Sequence, residues 1–458
     1  MAALIRPLRG ETSDVEIIGL DSDRFVLRCP SPLTEGEHLR LDIPGGMLQD
    51  SPHASLDVEI SSNHHDRAHS ASGWIVSACA QGEQGKHFVA KMLTHLRKSQ
   101  HIELCATGAV EGAQANPAFA EVGLLPCALP ECDWQDLDTS VTFLGQRFSA
   151  PIMITGMTGG VARGTEINLR LARAAASHGI PMGVGSQRIA IEHPEFADIF
   201  AVKKQVPEVF LIANIGAGQL AQLGRDGCLR AVDMIDADAL AIHVNVLQEI
   251  VQVEGDRRFS GIFAAIESIV RQFPVPVMVK EVGAGLDPLT ARRLVELGVA
   301  ALDTGGSGGT SWSGIEGMRA GSPSGQRLGE MFRDWGLPTA HCIRLLRNAL
   351  PQTDISATGG IRDGHMIAKA VGLGATMAGI GLPLFRSALL AEDAPKDLLD
   401  TFLRELKTAM ICSGSRTIRE LRARTFTSEA FDRTTAMLAN AYAQIPRANT
   451  AKTETAES

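Results

Sequence analysis

From about residue 150 onward, short and continuously apolar runs alternate with stretches whose apolar residues recur at helical spacing. The runs fall at 151–155, 181–185, 209–214, 239–243, 276–281, 300–304, 354–358 and 376–380, and stretches such as 168–178, 195–205 and 288–297 read as helices. A strand apolar on every residue, rather than on every second one, is buried on both faces, as in a parallel sheet covered by helices. Eight such repeats predict an α/β chain folded as a (β/α)8 TIM barrel, with its site at the C-terminal ends of the strands. About 50 residues separate the starts of the sixth and seventh runs, enough for a functional, lid-like loop.

The first 95 residues have another texture. Short alternating runs at 15–18, 24–27, 39–43, 56–60, 74–77 and 88–92 are separated by turn chemistry such as Pro44-Gly45-Gly46. They predict an additional small all-β domain, an antiparallel barrel or sandwich, over 1–95. The polar stretch 61–72, with His64, His65 and His69, reads as a solvated loop rather than a metal site. The barrel is expected over 96–445. The polar residues 446–458 are expected to be a disordered tail.

Composition narrows the function. A formal net charge of -9 argues against a general nucleic-acid or acidic-membrane binder, so any anion must be held by a local basic site. Eight cysteines without a CxxC pair point to free thiols in a reducing compartment. Neither a signal peptide nor a transmembrane run is apparent, and a cytoplasmic protein is expected.

Candidate chemistry gathers at the strand ends. Met157 and Thr158 follow the first strand, Ser186 and Arg188 the second; Asn214 ends the third, His243 the fourth and Lys280 the fifth. Gly359-Gly360-Ile361-Arg362 follows the seventh, and Gly379 and Gly381 end the eighth. Barrels commonly bind a phosphate at these last two strand ends, where glycine lets backbone N–H groups approach the anion. A phosphate there, with Lys280 across the mouth, points to FMN, because an ammonium near the pyrimidine edge stabilises the reduced flavin's charge. Past the fourth strand, 243–256 offers an imidazole, amides and carboxylates suited to Mg²⁺, which takes few protein ligands alongside substrate phosphate oxygens.

These residues, in this order, resemble the type 2 isopentenyl diphosphate isomerase family. The resemblance covers about 96–390. It includes Arg97-Lys98-Ser99-Gln100-His101-Ile102, Ala128-Leu129-Pro130-Glu131, Met157-Thr158-Gly159-Gly160, Gly185-Ser186-Gln187-Arg188, the 243–256 stretch, Lys280-Glu281-Val282-Gly283, Gly308-Gly309-Thr310-Ser311 and Gly359-Gly360-Ile361-Arg362. It implies FMN, Mg²⁺, NADPH as reductant, isopentenyl diphosphate as substrate and a homo-oligomer, a tetramer or larger. It also implies diphosphate binding by Arg97, Lys98, Arg188 and His243, a place beside the hydrocarbon end for Gln248, catalytic roles for Gln248 and His243, and a Mg²⁺ ligand in Glu249 with Asn245 near it. Thr158, Ser186, Asn214, Lys280, Thr310, Gly360 and Arg362 fall at flavin positions. Val253 stands where the family usually has proline. The first 95 residues lie outside the family pattern and vaguely resemble a PilZ-like barrel. Two other readings are an FMN barrel oxidising 2-hydroxy acids, which could do without Arg97-Lys98 and the Gln248-Glu249 pair, and a non-enzymatic sensor, which requires loss of site residues.

Overall fold

A computed structural model describes residues 2–7, 13–21, 24–29, 38–43, 54–65, 74–81, 97–112, 117–157 and 162–446. Two compact units are present. One comprises Met1–Ala109, Thr158–Asn168 and Ser186–Val202, the other Val110–Met157, Leu169–Gly185 and Lys203–Ser458.

The first unit contains a closed antiparallel barrel of β1 (Ala2–Pro7), β2 (Ser13–Asp21), β3 (Arg24–Cys29), β4 (His38–Ile43), β5 (Ala54–His65) and β6 (Trp74–Ala80), in the order β1-β2-β3-β6-β5-β4. Alternation explains its core: Leu56, Val58 and Ile60 of β5, with Leu27 and Leu41, are buried. Two expectations change. β1 was not anticipated, and β5 runs on through the supposed loop as far as His65, paired with Trp74 after a bulge between Ile60 and Ser62. The bulge shifts the alternation, so a polar stretch can remain strand. The expected strand 88–92, His69 and the tail from 447 lie outside the described residues.

The second unit is built on eight parallel strands: β10 (Ile152–Ile154), β11 (Met182–Gly183), β12 (Leu211–Gly216), β13 (Ala239–Val244), β14 (Val277–Glu281), β15 (Ala301–Asp303), β16 (Asp354–Ala357) and β17 (Met377–Ile380). They close in chain order, β17 pairing with β10. All eight runs read from the sequence are strands of this barrel. The helices are α1 (97–107), α2 (Ala162–Ser177), α3 (Arg188–Glu192), α4 (Leu220–Asp233), α5 (Val246–Val251), α6 (Ile262–Val270), α7 (Pro288–Glu296), α8 (Trp312–Arg319), α9 (Pro323–Met331), α10 (Thr339–Ala349), α11 (Gly364–Leu373), α12 (Leu382–Leu390), α13 (Ala394–Cys412), α14 (Ile418–Ala423) and α15 (Glu429–Gln444).

Register sorts the strand residues into layers. Leu240, Ile242, Val279, Leu302, Ile355 and Ile380 form one buried set. Their neighbours face the barrel axis, and the lower of these, Met153, Ile212, Ala239, Ala241, Met278, Ala301 and Met377, make one apolar cluster. One step nearer the C-terminal ends the pairings Gly216↔His243, His243↔Lys280, Lys280↔Asp303 and Asp303↔Ser356 put a polar layer on the same face. An apolar floor therefore lies beneath a polar mouth.

A hairpin of β8 (Val141–Phe143) and β9 (Gln146–Phe148) adds Phe143, Leu144 and Phe148 to the floor cluster. Its two-residue turn puts both Leu144 (φ 50) and Gly145 (φ 79) in the left-handed region, as a type I′ turn demands. Leu144 N donates to Asp354 Oδ2 at 3.0 Å, tying the turn to β16. Antiparallel β7 (Val122–Leu124) and β18 (Thr425–Thr427) bring the C-terminal segment back to the start of this unit.

The expected helix 195–205 is not α-helical. After the short α3 come 3₁₀ turns at Pro194–Ile199 and Val202–Lys204. Pro194 disfavours the α conformation at His193, whose backbone has φ -137 and ψ 88. The long excursion after β15 is also more ordered than a loop. It folds into α8 and α9, which cross so closely that a Cβ on Gly329 would lie 2.4 Å from the Cα of Gly317.

Candidate active site

In the first unit, Arg97 and Lys98 open α1, and Arg188 is the first residue of α3. Lys98 Nζ donates to the carbonyl of Ser186 at 3.0 Å and lies 6.0 Å from the centre of the Phe200 ring. Arg188 Nε donates to Glu192 Oε1 at 2.8 Å, one helical turn on. Burial, then the positive charges of Arg97 and Arg188, push the Lys98 ammonium down to about 7, against the opposing pull of Glu192. Two guanidiniums and one partly buried ammonium outnumber the single carboxylate acting on that lysine. Such an imbalance suits a dense anion.

In the second unit, the polar layer is tightly connected. Asn214 Nδ2 donates to Val184 O at 3.0 Å, which leaves its Oδ1 facing His243 Nδ1 at 2.9 Å. An acceptor there requires a proton on Nδ1, so neutral His243 carries its lone pair on Nε2. Just past β13, Asn245 Nδ2 donates to Gln248 Oε1 at 3.2 Å and to Glu249 Oε1 at 3.0 Å. The other oxygen of Glu249 accepts from Asp256 N at 2.8 Å. Gly255 is required beside it, since a Cβ there would sit 1.9 Å from Glu249 O.

Lys280 Nζ donates to Glu281 O at 3.1 Å. The Glu281 carboxylate folds into the next loop, where one oxygen accepts from the backbone N–H groups of Val282, Gly283, Ala284 and Gly285. Burial raises its pKa, and three of those amides, with Lys280, oppose the rise.

The glycine loops at the ends of β15, β16 and β17 are close-packed backbone. Gly359 (φ 113) and Gly360 (φ 75) are both left-handed, and a Cβ on Gly359 would lie 2.1 Å from Gly306 O. Thr339 Oγ1 supports the turn by donating to Gly359 O at 2.8 Å. Met157 packs on Gly381, where a Cβ would meet its Sδ at 2.8 Å, and a Cβ on Gly379 would meet Thr358 Cγ2 at 2.2 Å. Thr310 is bridged to Glu111, whose carboxylate holds Arg362 through Nε at 2.7 Å and through Nη2. Thr158 lies outside the described residues. A glycine-lined backbone cradle of this kind, together with Lys280, fits a phosphate-bearing flavin. Gly309→Ala is expected to weaken FMN binding about tenfold, because its Cβ would stand 2.4 Å from Gly360 N and must displace that loop. Titration of flavin fluorescence against apoprotein measures it, and unchanged affinity would place the flavin elsewhere.

Comparison with known proteins bears on what this barrel is. A model of the FMN-dependent dehydrogenase family matches residues 78–210 and 233–428. The chain is 42% identical to an isopentenyl-diphosphate delta-isomerase from a Nostoc species over 330 residues, 72% of this chain and 94% of that relative. It is 44% identical to the enzyme of that name from Thermococcus onnurineus, covering 74% of this chain and 92% of that one. The chain belongs to the type 2 isopentenyl-diphosphate delta-isomerase family. Among solved structures, a mandelate oxidase variant carrying a monooxide FMN adduct aligns with a TM-score of 0.51 over 71% of this chain and 95% of its own, at 19% identity. That likeness shows a shared barrel fold.

Set against the isomerase family, the structure adds Glu316, which the sequence did not single out, and gives a partner to Arg319 of the same excursion. Glu316 of α8, 2% exposed, accepts from Gln248 Nε2 at 3.0 Å and pairs with Arg319. Arg319 in turn donates to Glu254 at 2.9 Å. Both ends of the Gln248 amide are thereby fixed, its oxygen by Asn245 and its nitrogen by Glu316. Glu316 and Arg319 stand three apart on a helix, and that spacing was the only local signal. Among the described residues no cluster of three or more His, Cys, Asp or Glu is placed to hold a metal. A single carboxylate, Glu249, still suits Mg²⁺ held mostly by water and diphosphate oxygens. No helix among the described residues is long and apolar enough to cross a membrane.

Proposed function

We propose that this chain isomerises isopentenyl diphosphate to dimethylallyl diphosphate on reduced FMN, in the cytoplasm, as a homo-oligomer of four or more copies. The observation that carries the reading is the polar layer of His243 and Lys280, with Asn214 bonded to His243, over an apolar floor, in a chain that shares more than 40% identity with isomerases over most of their length. The reaction adds one proton at C4 and removes one from C2, so nothing is oxidised or reduced overall. Bound and reduced, FMN supplies an electron-rich, proton-bearing ring able to give and take those protons.

This chain's residues do the remaining work. Arg97, Lys98 and Arg188 are assigned to the substrate diphosphate, as donors suited to a dense anion. In the barrel, His243 is assigned to the substrate with Nε2 as its working nitrogen, since Asn214 occupies Nδ1. Gln248, its amide orientation set from both ends, is assigned to the hydrocarbon end, where a tertiary cation must be sheltered from water. Glu249 is the assigned Mg²⁺ ligand. Met157, Thr158, Ser186, Asn214, Lys280, Thr310, Gly359, Gly360, Arg362, Gly379 and Gly381 are assigned to FMN, with Lys280 facing its pyrimidine edge. Two of these already have other work, Ser186 O accepting from Lys98 and Arg362 pairing with Glu111. NADPH is the reductant that the resemblance implies.

Anaerobic incubation with FMN, NADPH, Mg²⁺ and isopentenyl diphosphate tests the reading. Dimethylallyl diphosphate should form, and in heavy water it should carry deuterium. Absence of product after chemical reduction of the bound flavin would reject it.

A further inference from the structure

Asp303 closes β15, pointing into the barrel between Lys280 on β14 and Ser356 on β16, with which it is in register. It is fully buried. Its Oδ1 accepts from Thr358 Oγ1 at 2.6 Å. Among the described residues, its Oδ2 and the Ser356 hydroxyl are buried without any hydrogen-bond partner. Leaving an acceptor of this kind unpaired inside a protein is costly. A position that needed only to pack would be apolar, as Ala301 is, one layer below on the same strand.

We propose that Asp303 is a positioning residue for Lys280, its carboxylate setting the net charge that the lysine presents to a flavin at the barrel mouth. The inference rests on the assignment of Lys280 to FMN. With Asp303 ionised, the lysine's field is partly cancelled. With Asp303 neutral, the full positive charge acts on the ring and favours its anionic reduced form. Burial pushes this carboxyl up to about 6, with Lys280 and the Thr358 hydroxyl opposing the rise. Its charge therefore changes around pH 6. The other ionisable groups nearby are fewer in effect. Glu281 is turned into its own loop of amides. The Cys342 thiol on α10 is driven far up by burial and stays neutral. His243 lies beyond Lys280 in the same layer.

The test compares wild type, Asp303→Asn, Asp303→Glu and Lys280→Met as FMN-loaded proteins. The readouts are the flavin midpoint potential and the absorbance change as the reduced flavin ionises, at pH 5 and pH 8. Asp303→Asn should raise the potential at pH 8 and move the ionisation of the reduced flavin down by about one pH unit. At pH 5, where the wild-type carboxyl is already protonated, the two proteins should agree. Asp303→Glu should restore the wild-type pH dependence, which keeps the idea testable if the asparagine variant folds poorly. Equal potentials at pH 8, or a difference that is the same at both pH values, would overturn the proposal. If Lys280→Met also leaves the potential unmoved, the flavin assignment itself has failed. If Lys280→Met lowers it and Asp303→Asn does nothing, only the role of Asp303 has.

Discussion

Replacing Lys98 by methionine is expected to lower kcat/KM for isopentenyl diphosphate by 10²- to 10³-fold, with FMN still bound. Removing one partner from a desolvated charge interaction costs about 2–5 kcal/mol, and each 1.4 kcal/mol is tenfold. The pH profile carries the sharper signature. Burial and the two neighbouring arginines hold the Lys98 ammonium near 7 in the ligand-free protein. Only its protonated form attracts the diphosphate, so kcat/KM should fall as pH rises through about 7. The substrate's own last phosphate proton leaves at about pH 6, so the profile is a bell whose alkaline limb belongs to the lysine. Lys98→Arg, charged throughout, should keep much of the activity and lose that limb. A wild-type profile flat from pH 7 to 9 would remove Lys98 from substrate binding.

The second large effect is expected at Glu249. Glu249→Gln should lower turnover at limiting Mg²⁺ by about 10²-fold and raise the Mg²⁺ concentration for half-maximal rate at least tenfold. The carboxylate has two acceptor oxygens in use, one for Asn245 Nδ2 and one for the Asp256 N–H. A glutamine has one oxygen, so its NH₂ must turn toward a second donor. Part of the loss will therefore come from loosening around Gly255. Glu249→Asp separates the two causes, since it keeps the charge while shortening the reach. Flavin absorbance should survive in both variants. A Mg²⁺ dependence that Glu249→Gln leaves unaltered would reject the metal role.

The barrel was legible because its eight strands are apolar on consecutive residues, a local pattern that follows from burial on both faces. Glycines after β16 and at the end of β17 were legible for a similar reason: Gly359 and Gly360 have left-handed φ values, Gly379 and Gly381 have close neighbours where a Cβ would stand, and composition records this directly. The β8–β9 hairpin was not, since three-residue strands carry little pattern and Leu144 is an uncommon occupant of a left-handed turn position. The excursion after β15 looked like loop because Gly314, Gly317, Gly325 and Gly329 lower helix propensity. In the fold, Gly317 and Gly329 are what allow α8 and α9 to touch.

What the chain's order of residues determined alone was the repeat of eight buried strands, the backbone-lined cradle and the inventory of cations and acids at the strand ends. Tertiary structure decided how those groups are paired. Asn214 sets the tautomer of His243, Glu316 reaches Gln248 from 68 positions away, and strand register places Asp303 beside Lys280. Local periodicity reports which face of an element is buried. Which polar atom meets which across that face depends on strand register and on packing between distant segments, and no local pattern carries that information.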